Sequence, residues 1–186
     1  MCGIVGYIGE SSATPLLLEG LAKLEYRGYD SAGIALAGDP SAIKKAACEK
    51  LKTEADSCKS CIEIYKAKGR LSVLSERING GRDFTATAGI GHTRWATHGR
   101  PSDENSHPHR SASGLFAVVH NGIIENYAAL KAKLIGDGVK FLSETDTEVI
   151  AHLLEKNYTG DFLGAVRAAI SQLQGSYALG ILCADH

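Results

Sequence analysis

Strand-like and helix-like hydrophobic patterns follow one another in irregular order along this chain, and that order limits the fold more than any composition figure. Residues 2–8 are apolar and glycine-spaced, as in a short buried strand. Leu17, Leu21 and Leu24 recur at helical spacing behind Thr14-Pro15, a pairing that predicts an N-cap and a first helical residue, with Gly28 as the cap at the far end. Strand character returns at 33–37, 62–66, 85–91, 115–119, 139–142 and 176–183. Short helices are expected at Leu71, Leu74 and Ile78, after Asn126 as far as Gly136, and behind the capping-box sequence Thr145-Asp146-Thr147-Glu148. A further stripe, from Phe162 through Ala165, Val166, Ala169 and Ile170 to Leu173, marks one face of another helix. Tight turns join some of these elements and helices join others. A regular doubly wound βαβ series is excluded, and an α+β fold with helices outside largely antiparallel sheets is favoured.

At 186 residues the chain suits one domain, spanning 1–186, with a sizeable core. Lys and Arg number 20 against 21 Asp and Glu, a balance that gives no electrostatic case for nucleic acid or an anionic membrane surface. No apolar run approaches the roughly 20 residues of a bilayer span, and no basic segment precedes the first apolar stretch. A cytoplasmic protein is expected. Its five cysteines are an odd and unevenly spaced set, which argues against a disulfide framework. Residues 41–61 are charge-rich with weak periodicity, so they are expected to form a solvated insertion. No closing element follows the strand at 176–183, so the domain is expected to be incomplete at its C-terminal end.

Four places carry residues suited to chemistry. Removal of the initiator methionine would leave Cys2 with a free α-amino group of pKa about 7.7–8.0 beside a thiol of about 8.5, a general base and a nucleophile in one residue. Cys2 is otherwise a small buried residue near a terminus. Asn121-Gly122 taken alone is the sequence of a type I′ hairpin turn, and alternatively a pair of oxyanion donors. Within His92-Thr93-Arg94-Trp95-Ala96-Thr97-His98-Gly99, Arg94 is suited to clamp a carboxylate. Asp146 could meet a ligand ammonium, although an aspartate there also suits a helix N-terminus. Cys58-x-x-Cys61 with Cys48, or His98, His107, His109 and His120, are conceivable metal ligands, but one CxxC has no second paired cluster and no metal is expected. Neither a GxxxxGK[ST] loop nor GxGxxG is present, and no cofactor is called for.

Taken together, five blocks resemble the glutamine–fructose-6-phosphate aminotransferase (isomerizing) family, the glucosamine-6-phosphate synthases. They are Cys2-Gly3-Ile4-Val5-Gly6; Leu24-Glu25-Tyr26-Arg27-Gly28-Tyr29-Asp30-Ser31-Ala32-Gly33; residues 92–99; His120-Asn121-Gly122-Ile123-Ile124-Glu125-Asn126; and Ser143-Glu144-Thr145-Asp146-Thr147-Glu148. Other class II amidotransferases also begin with cysteine but differ at the second and third blocks. The resemblance implies an N-terminal-nucleophile hydrolase fold, a four-layer αββα sandwich, here as the glutaminase domain without the sugar-isomerase domains that bind fructose 6-phosphate. It implies that Cys2 attacks the side-chain amide of L-glutamine and that Asn121 and Gly122 form the oxyanion hole. Arg94 and Asp146 would hold the α-carboxylate and α-ammonium, Thr97 and His98 would line the pocket, and Trp95 would sit on a loop closing over the substrate. Longer family members are expected to be homo-oligomers. Two other readings stay open from the residues: a non-catalytic glutamine-binding module, and a metal-binding interaction module built on Cys48, Cys58, Cys61 and nearby histidines.

Overall fold

The computed structural model describes residues 2–37, 62–82, 84–95 and 99–185. Two antiparallel sheets form its middle. The first has the order β1 (Gly3–Ile8), β4 (Ala88–Arg94), β2 (Ser31–Ala37), β3 (Glu63–Lys68). The second has the order β5 (His109–Arg110), β6 (Phe116–Gly122), β7 (Tyr177–Cys183).

The period-2 alternation of the strands sends successive side chains into different apolar layers. On β2, Ala32, Ile34 and Leu36 pack with Leu17 and Leu21 of α1 (Ala13–Leu24) and Leu71 and Leu74 of α2 (Leu71–Arg77). Their neighbour Ala35 points the other way, to Ile90 of β4 and to Ala117, Val119 and Leu182 of the second sheet. On β6, Phe116 and Val118 face the opposite helices: α3 (Tyr127–Gly136), α4 (Glu148–Asn157) and α5 (Phe162–Ile170). Three apolar layers therefore separate helix, sheet, sheet and helix, the expected αββα order. Both faces of each sheet are covered, so a truncation such as Phe116→Ala or Leu153→Ala opens a cavity costing about 3–5 kcal/mol.

Local expectations differ from the structure where tertiary groups supply what the local sequence offers. Helix α1 starts at Ala13, so Thr14 lies inside its first turn; the Ala13 N–H is satisfied by the Ala86 carbonyl at 2.7 Å, and no side chain caps the helix. Gly28 follows the 3₁₀ turn Glu25–Arg27 rather than α1 itself. Its backbone is extended, and it is glycine because a Cβ there would meet the Arg94 carbonyl carbon at 2.8 Å and the Trp95 nitrogen at 2.9 Å. The strand expected at 85–91 runs three residues later, as Ala88–Arg94.

No strand forms at 139–142. Instead, the Leu142 and Ser143 N–H groups both donate to the Glu148 carboxylate at 2.7 Å. That carboxylate is thereby unable to close a capping box, and the N-cap of α4 is Thr147 with no side-chain cap bond. Asn126 sits at the N-cap of α3, but its amide bridges the Gln172 carbonyl and the Gln174 N–H. The insertion expected at 41–61, with Cys48, Cys58 and Cys61, lies outside the described residues.

Candidate active site

Antiparallel pairing brings four strand ends together: the start of β1, the end of β4, the end of β6 and the start of β7. They border a cavity of about 650 Å³ whose wall includes Cys2, Arg94, Asn121, Gly122 and Asp146. Five of the eight residues singled out from sequence thus share one wall, and Trp95 lines the same cavity. Thr97 and His98 lie outside the described residues.

Cys2 immediately precedes β1. The Gly3 N–H donates to Thr93 Oγ1 at 3.2 Å, and the Trp95 N–H donates to Cys2 Sγ at 3.1 Å, so the thiol is held against the end of β4. Cys2 is half-buried, which leaves the sulfur reachable from the cavity.

Asn121 and Gly122 are not a hairpin turn. They are the last two residues of β6, paired with Ala178 and Tyr177 of β7. Gly122 has φ +123°, and a Cβ there would overlap the Ser176 carbonyl oxygen, so only glycine fits. Asn121 Nδ2 donates to the Cys2 carbonyl at 3.0 Å, and Asn121 Oδ1 lies 2.9 Å from His92 Nε2.

Arg94 is 4% exposed, and its Nη2 donates to the Gly99 carbonyl at 3.1 Å. Burial lowers its pKa, opposed by Cys2, Asp30 and Asp146 nearby, and a guanidinium remains charged at any working pH. Asp146 Oδ2 accepts the Ile124 N–H at 2.9 Å, and Oδ1 is 4.0 Å from His120 Nδ1. A buried cation and a buried carboxylate on one cavity wall can receive the carboxylate and ammonium of an amino acid. Trp95 is 46% exposed and meets the Tyr29 ring edge-on, with centroids 5.4 Å apart.

The part least visible in sequence is a set of buried histidines. His92 and His107 stack with centroids 4.2 Å apart, His109 meets His107 edge-on, and His120 lies beyond at 6.4 Å. Burial pushes the pKa of His92 down to about 4 and those of His107 and His109 well below the ordinary histidine value. It lowers His120 as well, against the opposing pull of Asp146. Sequence reasoning considered His107, His109 and His120 only as metal ligands. Among the described residues, no group of three or more His, Cys, Asp or Glu side chains is placed to hold a metal ion. Arg27, Thr145 and Thr147 also line the cavity; they stand in the sequence motifs above, but those motifs give them no role at a site.

Beneath the site, Glu148 accepts from Leu142 N, Ser143 N and, at 2.6 Å, Ser143 Oγ. Burial alone would raise its pKa, but these donors hold it down at about 2, together with His152, whose Nε2 is 3.5 Å away. The charged Glu148 thereby pins the loop that presents Asp146.

A family model described as a glutamine amidotransferase domain matches residues 92–186, just over half of the chain. The chain belongs to the glutamine amidotransferase family. It is 57% identical over its whole length to a glutamine–fructose-6-phosphate aminotransferase (isomerizing) of Caldanaerobacter subterraneus, and 52% identical, again over its whole length, to that of Clostridium tetani. It spans about 27% of the length of each of these relatives. Among solved structures it is similar to the glutamine phosphoribosylpyrophosphate amidotransferase of B. subtilis, with TM-score 0.74 and 26% identity, over 98% of this chain and 35% of that one. The N-terminal-nucleophile hydrolase fold expected of the chain is that of this amidotransferase. The family match begins at His92 and includes Arg94, Asn121, Gly122 and Asp146; Cys2 lies outside it in sequence and faces the same cavity.

Proposed function

We propose that this chain is a glutaminase unit that hydrolyses the side-chain amide of L-glutamine to glutamate and ammonia, with Cys2 as nucleophile. The observation that carries this is the convergence on one cavity of a reachable thiol, the Asn121-Gly122 donor pair, and a buried Arg94 and Asp146.

With Met1 removed, the Cys2 α-amino group takes the thiol proton, directly or through a water, and Sγ attacks the amide carbon. The carbonyl oxygen becomes negative and is met by Asn121 Nδ2–H and the Gly122 N–H. Collapse breaks the C–N bond, the nitrogen leaves as ammonia with the proton carried by the amine, and a γ-glutamyl thioester remains. Water then attacks the thioester, regenerating the thiol and releasing glutamate. Arg94 holds the substrate carboxylate and Asp146 its ammonium, so the amide is placed by groups that take no part in bond breaking. Thr97 and His98 are assigned to recognition of the substrate, and Trp95 to covering the mouth of the pocket.

In the longer protein to which such a unit belongs, the ammonia is destined for fructose 6-phosphate, giving glucosamine 6-phosphate in further domains, in a cytoplasmic homo-oligomer without nucleic-acid or membrane partners. None of the helices formed by the described residues is long and apolar enough to cross a membrane. Glutamate release from L-glutamine, assayed for the chain and for Cys2→Ala, tests the proposal. Release that is lost in the variant is the expected result. Glutamine binding without release in the unsubstituted chain would instead identify a binding module.

A further inference from the structure

The orientation of the Asn121 side chain follows from which groups can donate. The Cys2 carbonyl can only accept, so the Asn121 NH₂ must face it, at 3.0 Å. Oδ1 then faces His92 Nε2 at 2.9 Å, and because Oδ1 cannot donate, the histidine must carry its proton on Nε2. The opposite ring nitrogen, Nδ1, is buried and makes no hydrogen bond of ordinary geometry, with the His120 backbone near the ring.

The neighbouring tautomers are set in the same way. His107 Nδ1 accepts the backbone N–H of His120 at 3.2 Å, which leaves its Nε2–H to donate to Thr147 Oγ1 at 3.3 Å. Thr147 Oγ1 is also hydrogen-bonded to His120 Nδ1, at 2.9 Å. His107 in turn covers one face of the His92 ring, with 21° between the planes. His92 therefore cannot turn its ring without unstacking a partner that is itself bonded at both nitrogens.

We propose that His92 is a positioning residue for the oxyanion pocket: held by the stacked His107, it donates through Nε2 to Asn121 Oδ1 and so aims the second Asn121 amide hydrogen into the cavity. The proposal rests on the glutaminase reading and deepens it. An unanchored Asn121 could rotate about its side-chain bonds and present oxygen instead of nitrogen to the developing negative charge. His92 also lines the cavity, but its role runs through its bond to Asn121 rather than through contact with substrate. Its loss should therefore reduce kcat while leaving glutamine binding, set by Arg94 and Asp146, and the nucleophilicity of Cys2 nearly unchanged.

Two measurements test this. In the first, ring ¹⁵N shifts of the unsubstituted chain at pH 7 report the tautomer; neutral His92 with its proton on Nε2 is expected, and a proton on Nδ1, or a charged ring, overturns the proposal. In the second, steady-state glutamine hydrolysis is compared with the rate of Cys2 alkylation by iodoacetamide, a displacement that develops no oxyanion. His92→Leu should lose ~10- to 100-fold in kcat, with KM and alkylation rate within about twofold, while His92→Gln, which keeps an N–H donor, recovers most of the loss. An unchanged kcat in His92→Leu, or an alkylation rate that falls with it, overturns the positioning role. Should leucine at this buried position unfold the chain, the ring spectrum and His92→Gln still decide, because a glutamine variant as poor as Asn121→Ala contradicts the proposal. A chain with no hydrolysis at all defeats the glutaminase reading instead, and the ring spectrum then stands alone as the test of His92.

Discussion

Asn121 Nδ2 donates to the backbone carbonyl of Cys2 at 3.0 Å, joining residues 119 positions apart. One amide thus binds the residue that precedes β1 to the end of β6, and the spacing between nucleophile and oxyanion donor is set by a bond between the two sheets. A shift of one sheet against the other would strain that bond and change the spacing of nucleophile and donor. The site is consequently as rigid as the apolar layer formed by Ala35, Ile90, Ala117, Val119 and Leu182 behind it.

Asn121→Ala removes that bond and one oxyanion donor together. Loss of a single oxyanion donor typically lowers kcat by about 10²–10³. The expected outcome is a fall of this order with the KM for glutamine within a few-fold, measured by glutamate release. Asn121→Asp should be equally poor, since its carboxylate can accept from His92 but cannot donate to Cys2.

Asp146 carries two duties that separate by substitution. Its Oδ2 accepts the Ile124 N–H, and its charge faces the cavity. Asp146→Asn keeps an acceptor for Ile124 and removes the charge, so KM should rise about 10- to 100-fold, as expected for one charge-assisted hydrogen bond of ~1.5–3 kcal/mol, while the urea midpoint stays put. Asp146→Ala should show the same KM defect and a lowered midpoint, because the Ile124 N–H is left buried without its acceptor.

Gly122→Ala tests the left-handed backbone at the end of β6. The added Cβ overlaps the Ser176 carbonyl oxygen, and φ +123° is strained for any side chain. Strain of this kind costs on the order of 1–3 kcal/mol. Denaturant unfolding should show at least that loss, and hydrolysis should drop because the Gly122 N–H moves with the strand end. An alanine variant of ordinary stability and activity would contradict the geometry.

The layers were legible in sequence because they rest on local periodicity. The apolar strand runs at 33–37 and 115–119, and the helical stripes at Leu17 and Leu21 and at Ala165 and Ala169, all survive in the structure. Errors arose where a short polar motif had two possible partners. Asn121-Gly122 has the composition of a turn, but β7, 55 residues further on, claims both as strand residues. Glu148 completes a capping box in sequence, yet Leu142 and Ser143 fold back to take its carboxylate. The histidine stack was invisible for a related reason: His92, His107, His109 and His120 sit on or beside three different strands, and only the pairing of the sheets puts their rings together.

Those buried rings also predict how the fold responds to acid. His92 titrates near 4 in the folded chain and near 6.5 when unfolded, and His107 and His109 lie well below the ordinary value too. Between those limits the unfolded state binds protons that the native state refuses, so stability must fall as pH is lowered through this window and be insensitive to these groups above about pH 7. Each histidine contributes a slope of up to ~1.4 kcal/mol per pH unit. Glu148 acts later: its pKa is depressed from 4.5 to about 2, so the stability it supplies is full above 4.5 and is lost only as pH drops toward 2. Urea midpoints measured at pH 8, 7, 6 and 5 should be level between the first two and decline steeply over the rest. In His92→Gln the decline should be shallower by about one proton's worth, since glutamine does not titrate. A midpoint that stays constant from pH 7 to pH 5 would mean that these rings take up protons as freely in the folded chain as in the unfolded one, and the neutral stack would have to be abandoned.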